Sequence, residues 1–260
     1  MREILFATQK AVAARRASTD RGELEFVAGK QVPRGFRRAL ERASAAGGVA
    51  VIAELKKASP SKGTLRGTYQ VAKLAAELEQ AGAAALSVLT DEKFFEGSVA
   101  DLREASAAAQ IPCLRKDFIV DEFQILEAKA NGADAVLLIA GALAAGQLAA
   151  LATNSREMGL DVLCEIHDHR ELQIAVAAGC DLIGVNSRDL KTFRVDVETA
   201  LRLGPAIPRP ALRVAESGIQ SAADLRKLRA AGYHAFLIGE HLMQAADPAR
   251  ALRALLGGEC

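Results

Sequence analysis

Five apolar runs in this chain end in residues able to move protons or hold anions. Val-Ala-Val-Ile-Ala leads into Glu54-Leu-Lys56, and Cys113-Leu-Arg leads into Lys116-Asp-Phe118. Val-Leu-Cys leads into Glu165-Ile-His167, Leu-Ile-Gly-Val into Asn186-Ser-Arg188, and Arg-Val-Ala into Glu216-Ser217-Gly218. Residues two apart in an extended strand share a face. Glu54 with Lys56, Glu165 with His167, and Asn186 with Arg188 therefore converge if the strands end side by side. Carboxylates and an ammonium in one cleft supply general acids and bases. A single charged strand end is more often a structural ion pair, because a buried charge is costly unless paired. Five strands repeating the pattern make a shared mouth the better reading.

The elements that would carry these residues recur along the chain. Eight short runs rich in Val, Ile and Leu lie at 49–56, 85–90, 112–118, 135–140, 162–167, 182–187, 213–218 and 235–239. They lack strict alternation, as parallel strands covered on both faces do. Between them lie segments with helical spacing, among them 71–80, 124–130 and 222–231, and several end at a glycine: Gly82, Gly132, Gly179 and Gly232. A spacing of about 26 residues per unit predicts a closed α/β architecture, a (β/α)8 TIM barrel. A doubly wound open sheet would need a glycine-rich fingerprint after its first strand, and the chain has none. Residues 1–48 precede the first strand. Helices over 4–16 and 36–45, with a turn at 32–35, predict an N-terminal helical extension on a barrel spanning 49–260, all one domain.

Composition narrows the partners. The 260 residues are 50% hydrophobic with a formal net charge of +1. No basic stripe suggests nucleic acid. The longest apolar stretch, 135–146, is far below the roughly 20 residues of a membrane span. The opening apolar run at Ile4 to Ala7 is too short for a signal peptide. Cys113, Cys164, Cys180 and Cys260 show no C-x-x-C spacing, and three lie in apolar or Ala-rich segments. They read as buried thiols of a reducing, cytoplasmic environment. His167 and His169 lack the further ligands of a metal set, so neither metal nor cofactor is expected. Ser217-Gly218-Ile219 and Gly239-Glu240-His241-Leu242 end the seventh and eighth runs. Barrels of this kind often hold a phosphate between those two loops, on backbone N–H groups and a short helix. Phe94-Phe95, in a loop after the second run, suits an apolar wall over a substrate.

On these residues the sequence resembles indole-3-glycerol-phosphate synthase of tryptophan biosynthesis. The motifs are Ile52-Ala-Glu-Leu-Lys-Lys-Ala-Ser-Pro-Ser-Lys-Gly63, Leu86-Ser-Val-Leu-Thr-Asp91 with Phe94-Phe-Glu-Gly-Ser98, and Arg115-Lys-Asp-Phe-Ile-Val120. They continue with Ala135-Val-Leu-Leu-Ile139, Glu165-Ile-His-Asp168, Ile183-Gly-Val-Asn-Ser-Arg-Asp-Leu190, Ala215-Glu-Ser-Gly-Ile219 and Leu237-Ile-Gly-Glu240. The match runs in register from about residue 50 to 245, and its first and third motifs are the most specific. The resemblance implies a carboxy-lyase that converts 1-(2-carboxyphenylamino)-1-deoxyribulose 5-phosphate to indole-3-glycerol phosphate, with loss of CO2 and water. It implies catalytic roles for Lys116 as general acid and for Glu165 and Glu54 in the dehydration, without dividing that step between the two. Lys56 matches the cation that holds the substrate carboxylate, and Asn186, Arg188 and Glu216 match substrate-orienting positions. Pro60, Phe95, Phe118, Leu137, Leu190 and Leu237 match the wall around the aromatic ring. Ser59, Ser217, Gly218, Gly239 and Glu240 match sugar- and phosphate-contacting positions, Glu240 through its backbone N–H. A small phosphorylated substrate and a monomer or weak homo-oligomer follow.

The chain departs from the family at Thr68-Tyr-Gln-Val71, where an Asp-Phe-Asp-Pro-like stretch is usual, so the cap of the following helix is open. Residues 17–35 carry no pattern that aligns. Two other classes of function fit a phosphate-binding barrel: a sugar-phosphate isomerase or Schiff-base aldolase, for which Lys116 would serve, and a catalytically silent scaffold. The intact set Glu54, Lys56, Lys116, Glu165 and Asn186 opposes the scaffold.

Overall fold

The computed structural model describes residues 2–45, 48–189 and 194–257. Eight parallel strands form a closed barrel in which each pairs with its neighbours in chain order, and the last closes on the first. They are β1 (Ala50–Leu55), β2 (Ala85–Leu89), β3 (Cys113–Lys116), β4 (Ala135–Ile139), β5 (Asp161–Ile166), β6 (Leu182–Asn186), β7 (Leu212–Glu216) and β8 (Ala235–Ile238). Three helices precede the barrel: α1 (Arg2–Ser18), α2 (Arg21–Lys30) and α3 (Phe36–Ala45). The others are α4 (Val71–Gln80), α5 (Glu92–Phe95), α6 (Val99–Ala108), α7 (Glu122–Ala130), α8 (Ala145–Glu157) and α9 (His169–Ala177). They continue with α10 (Val197–Leu203), α11 (Ala222–Ala230), α12 (Glu240–Gln244) and α13 (Pro248–Leu255). The chain is a (β/α)8 barrel with an N-terminal helical segment.

Side chains alternate across the strands. Val51, Ala53, Val136, Leu138, Val162, Cys164, Ile183 and Val185 face outward into one apolar layer with the helices. Ala50, Ile52, Leu114, Leu137, Leu163, Val214 and Leu237 fill the barrel interior, together with Phe36 and Leu40 of α3. Both α3 residues are fully buried. They pack against strand starts such as Ala50, Ala85 and Ala135, so α3 plugs the N-terminal end of the barrel. The interior is thus closed from below and mostly apolar, with Glu54, Lys116, Glu165, Asn186 and Glu216 near the upper ends of their strands. The anticipated glycines after the helices, Gly82, Gly132, Gly179 and Gly232, have φ of 99°, 83°, 72° and 90°. Each turns the chain from a helix toward the next strand in a conformation that favours glycine.

Strands are shorter than the apolar runs. The 112–118 run gives a strand only over Cys113–Lys116, because Asp117 folds back: its carboxylate accepts from the Arg115 guanidinium at 2.9 Å and from the Phe118 N–H at 2.8 Å. α2 was not legible as a helix. Its signal was only the cap, in which Asp20 accepts from the Glu23 N–H at 3.1 Å. Phe26 and Val27 face solvent, and Ala28 is its one buried residue, so it has no apolar stripe. The 32–35 segment does more than turn. Arg34 reaches the fully buried Asp134, with Nη2 2.6 Å from Oδ2, while its backbone N–H donates to Oδ1 at 2.6 Å. Asp134 also accepts from the Cys113 N–H at 2.7 Å, so one carboxylate joins the N-terminal segment to the start of β3. Cys113, Cys164 and Cys180 are buried free thiols, and Cys260 lies outside the described residues. Among the described residues no helix is long and apolar enough to cross a membrane.

Candidate active site

The C-terminal ends of the strands surround a cavity of about 410 Å³, within the usual size of small-molecule sites. The strand register brings its polar residues to similar heights. Glu165 pairs with Ile139 of β4, Lys116 with Leu89 of β2, and Glu216 with both Asn186 of β6 and Leu237 of β8. Glu54, Lys116, Glu165, Asn186 and Glu216 all line the cavity.

One ammonium lies among three carboxylates. Lys116 Nζ is 2.6 Å from Glu216 Oε2, 3.6 Å from Glu165 Oε2 and 3.9 Å from Glu54 Oε2. Lys56 Nζ donates to Glu54 Oε1 at 2.7 Å. Burial works against a charged Lys116, but the three carboxylates outweigh it and raise the ammonium's pKa above the ordinary lysine value. Burial likewise favours the neutral acid at Glu54, yet Lys56 and Lys116 together pull it below the usual carboxylate range. Glu216 goes the other way: burial, with the charges of Glu165 and Glu54, pushes it up to about 7 despite its bond to Lys116. Its Oε1 is buried and has no hydrogen-bond partner. The cluster therefore holds an ammonium that stays protonated, an ionised carboxylate and a carboxyl that titrates near neutrality.

Two glycines make room for these carboxylates. A β-carbon on Gly184 of β6 would collide with Glu216 Oε1, and one on Gly239 with Glu54 Oε1. Neither crowding is visible in the sequence, where Gly184 drew no attention.

The remaining residues close the rim. Lys56, Ser59, Pro60, Phe95, Phe118, Leu137, Arg188, Leu237, Ser217, Gly218, Gly239 and Glu240 all line the same cavity. Leu190 lies outside the described residues. The cavity is also lined by Val195, Gln220 and Gln244, which belong to none of the motifs. Ser59 sits in a short hairpin, Ala58–Ser59 against Gly63–Thr64, that the sequence did not predict, and its hydroxyl is buried without a hydrogen-bond partner. Arg188 spans the mouth by donating to Glu240 Oε2 at 2.9 Å. Ser217 has a left-handed backbone (φ 65°), uncommon for a residue with a side chain, and donates through Oγ to Asn186 Oδ1 at 2.8 Å. Gly218 follows at φ 80°. α12 begins at Glu240, directly after Gly239. His167 does not join this lining. It stands beside Glu165, with Nε2 3.5 Å from Oε1, and is half-buried.

The open cap at Thr68-Tyr-Gln-Val71 is supplied from a neighbour. Gln70 makes no side-chain cap, and Glu104 of α6 accepts from the Ala72 N–H at 3.1 Å instead. Arg115, adjacent to Lys116, points the opposite way and is fully buried. It pairs with Asp117 at 2.9 Å and Glu127 at 2.8 Å, outside the cavity's ion cluster. No group of three or more potential metal ligands occurs among the described residues.

Known proteins place this arrangement. A solved thiamine phosphate pyrophosphorylase from Pyrococcus furiosus superimposes with a TM-score of 0.58 over 82% of this chain and 95% of its own, at 17% identity. At that identity the likeness establishes the barrel alone. An indole-3-glycerol phosphate synthase from Koribacter versatilis is 57% identical over 258 residues, 99% of this chain and 98% of that protein. The sequence profile of the indole-3-glycerol phosphate synthase family matches residues 1–255. The chain belongs to the indole-3-glycerol phosphate synthase family.

Proposed function

We propose that the cavity binds 1-(2-carboxyphenylamino)-1-deoxyribulose 5-phosphate and closes the indole ring, as the family's activity requires. The observation that carries the assignment is the Lys116 ammonium among Glu54, Glu165 and Glu216 in an otherwise apolar barrel. The product lacks the carboxyl group, so the new bond forms at the ring carbon that bore it. That carbon attacks the ketone, whose oxygen gains negative charge. Lys116, held protonated, donates the proton there. CO2 then leaves and the ring regains aromaticity. Dehydration removes a proton from carbon and expels the hydroxyl as water. Glu165 and Glu54 serve these two transfers.

Lys56 fits the substrate carboxylate, which would share it with Glu54. Asn186, Arg188 and Glu216 orient the chain of the sugar. Pro60, Phe95, Phe118, Leu137 and Leu237 wall the aromatic ring. The phosphate falls to the rim, where Ser217 and Gly218 follow β7 and Gly239 and Glu240 follow β8, with the free Ser59 hydroxyl opposite. Glu240 contributes its N–H, because its carboxylate is taken by Arg188. A Schiff-base aldolase fits less well. Its lysine must lose a proton to attack, and three carboxylates oppose that. Neither a metal nor a cofactor has a step to perform. The reading places the protein in the cytoplasm as one domain, a monomer or weak homo-oligomer, which sedimentation tests.

The deciding experiment is incubation with the carboxyphenylamino-deoxyribulose phosphate while indole fluorescence is followed. Indole-3-glycerol phosphate should accumulate with release of CO2. Folded protein that yields none refutes the assignment, and borohydride trapping of a substrate adduct on Lys116 would favour the aldolase.

A further inference from the structure

Glu165 has two oxygens with different company. Oε2 faces the Lys116 ammonium at 3.6 Å, and Oε1 faces His167 Nε2 at 3.5 Å. That nitrogen is buried and makes no hydrogen bond. The other side of the ring is tightly held: Glu171 Oε2 accepts from the His167 backbone N–H at 2.7 Å and lies 3.0 Å from Nδ1. Glu171 is itself fixed, since its N–H donates to Asp168 Oδ1 at 2.8 Å. A β-carbon on Gly141 would collide with Glu171 Oε1, so the glycine leaves space for that carboxylate.

We propose that His167 is a positioning residue for the reaction, acting through Glu165: clamped by Glu171, its ring holds the Glu165 carboxylate turned toward Lys116. A carboxylate only accepts, so Glu171 fixes the proton of the ring on Nδ1. Nε2 then carries hydrogen only when the ring is cationic. A bare Nε2 would set a lone pair against the Glu165 carboxylate, whereas the cation donates to it. The charges that favour the cation are Glu171 at the start of α9, Glu165 on β5 and Glu216 across the barrel on β7, with the Lys116 ammonium on the far side of Glu165. Burial opposes the cation, but the bond to Glu171 and these charges prevail, so the ring stays protonated above the ordinary histidine range. His167 does not line the cavity. The inference rests on the proposed role of Glu165.

The test is the pH dependence of kcat for His167→Asn and Glu171→Gln, with Glu165→Gln as reference and thermal melts to verify folding. Loss of the imidazolium removes a positive charge from beside the acidic groups of the site. The acidic limb of His167→Asn should therefore move up by about one pH unit, with kcat at neutral pH down several-fold. KM should stay within about twofold of the wild type, because the substrate does not meet His167. Glu171→Gln should shift the limb in the same direction by less. Profiles that superimpose on the wild type, or fall equally at every pH, overturn the inference. Glu165→Gln should lose at least about 10² in kcat. If it does while both other profiles stay unshifted, the inference alone fails; if Glu165→Gln keeps its rate, the role of Glu165 falls too.

Discussion

Gly239, after β8, and Glu54, on β1, share one small space: a β-carbon on the glycine would collide with Glu54 Oε1 and stand 2.9 Å from Glu54 Cβ. The glycine proposed to hold the phosphate thus also sets the place of a carboxylate proposed for catalysis. Gly239→Ala should therefore lower kcat as well as raise KM. Misplacement by about 1 Å can cost on the order of 10² in rate, so a fall of tenfold or more is expected. Inorganic phosphate should inhibit wild-type protein competitively. A mutant with raised KM and unchanged kcat would restrict Gly239 to phosphate binding.

Lys116→Met keeps the aliphatic stem and removes proton and charge. General acid catalysis is worth about 10² to 10⁴ in rate, so kcat should fall at least about 10² while product still binds. Lys116→Arg should not restore it, because the planar guanidinium places its protons differently from a compact ammonium. Single-turnover kinetics with equilibrium product binding decide this. A mutant retaining more than about a tenth of kcat would transfer the acid role to Lys56.

Lys56 meets Glu54 at 2.7 Å in the free protein, so a substrate carboxylate must share it. Lys56→Met should weaken substrate binding and slow turnover. A substrate analogue without that carboxylate should lose little further affinity in the mutant. Additive losses across the four combinations would show that the two groups do not interact.

The barrel was legible because parallel strands buried on both faces read as apolar runs, and glycines marked the helix ends. The candidate site was legible because five of the eight runs ended in polar residues that the closed sheet carries to one rim. What stayed hidden depended on distance along the chain. Arg34 gave no signal, as its partner Asp134 is 100 residues away. The roles of Gly184 and Gly239 appear only once Glu216 and Glu54 lie opposite them. α2 was hidden for the reverse reason, since its apolar side chains face outward and leave no stripe to read.

Glu216 gives stability a pH dependence of defined sign. Its carboxyl titrates near 7 in the folded protein, above the value of about 4.3 expected of an unfolded chain. Between those values the native state binds more protons, so stability falls as pH rises through the window. Glu216→Gln is nearly isosteric and does not titrate. The Tm of the variant relative to wild type should therefore improve from pH 5 to pH 8. A Tm difference constant across that range would place the Glu216 carboxyl at an ordinary value.

Asp134 is fully buried and depends on Arg34, whose Nε and Nη2 both donate to it, at distances down to 2.6 Å. The guanidinium also donates to the Ala109 carbonyl at 2.8 Å and to Ser106 Oγ at 2.9 Å. Arg34→Met removes those donors and leaves Asp134 with only the backbone N–H groups of Arg34's position and Cys113. Breaking a buried pair by deleting one partner costs about 3–5 kcal/mol, because the remaining charge is uncompensated. Arg34 is partly exposed, so the lower end is expected here. Removing both charges, as Arg34→Met with Asp134→Asn, should restore part of the loss, since no stranded carboxylate remains. The cavity is at the opposite end of the barrel, so kcat of the folded single mutant at low temperature should stay near wild type. Urea titration of the three variants measures the energies. A loss below about 1 kcal/mol would mean that water replaces the guanidinium.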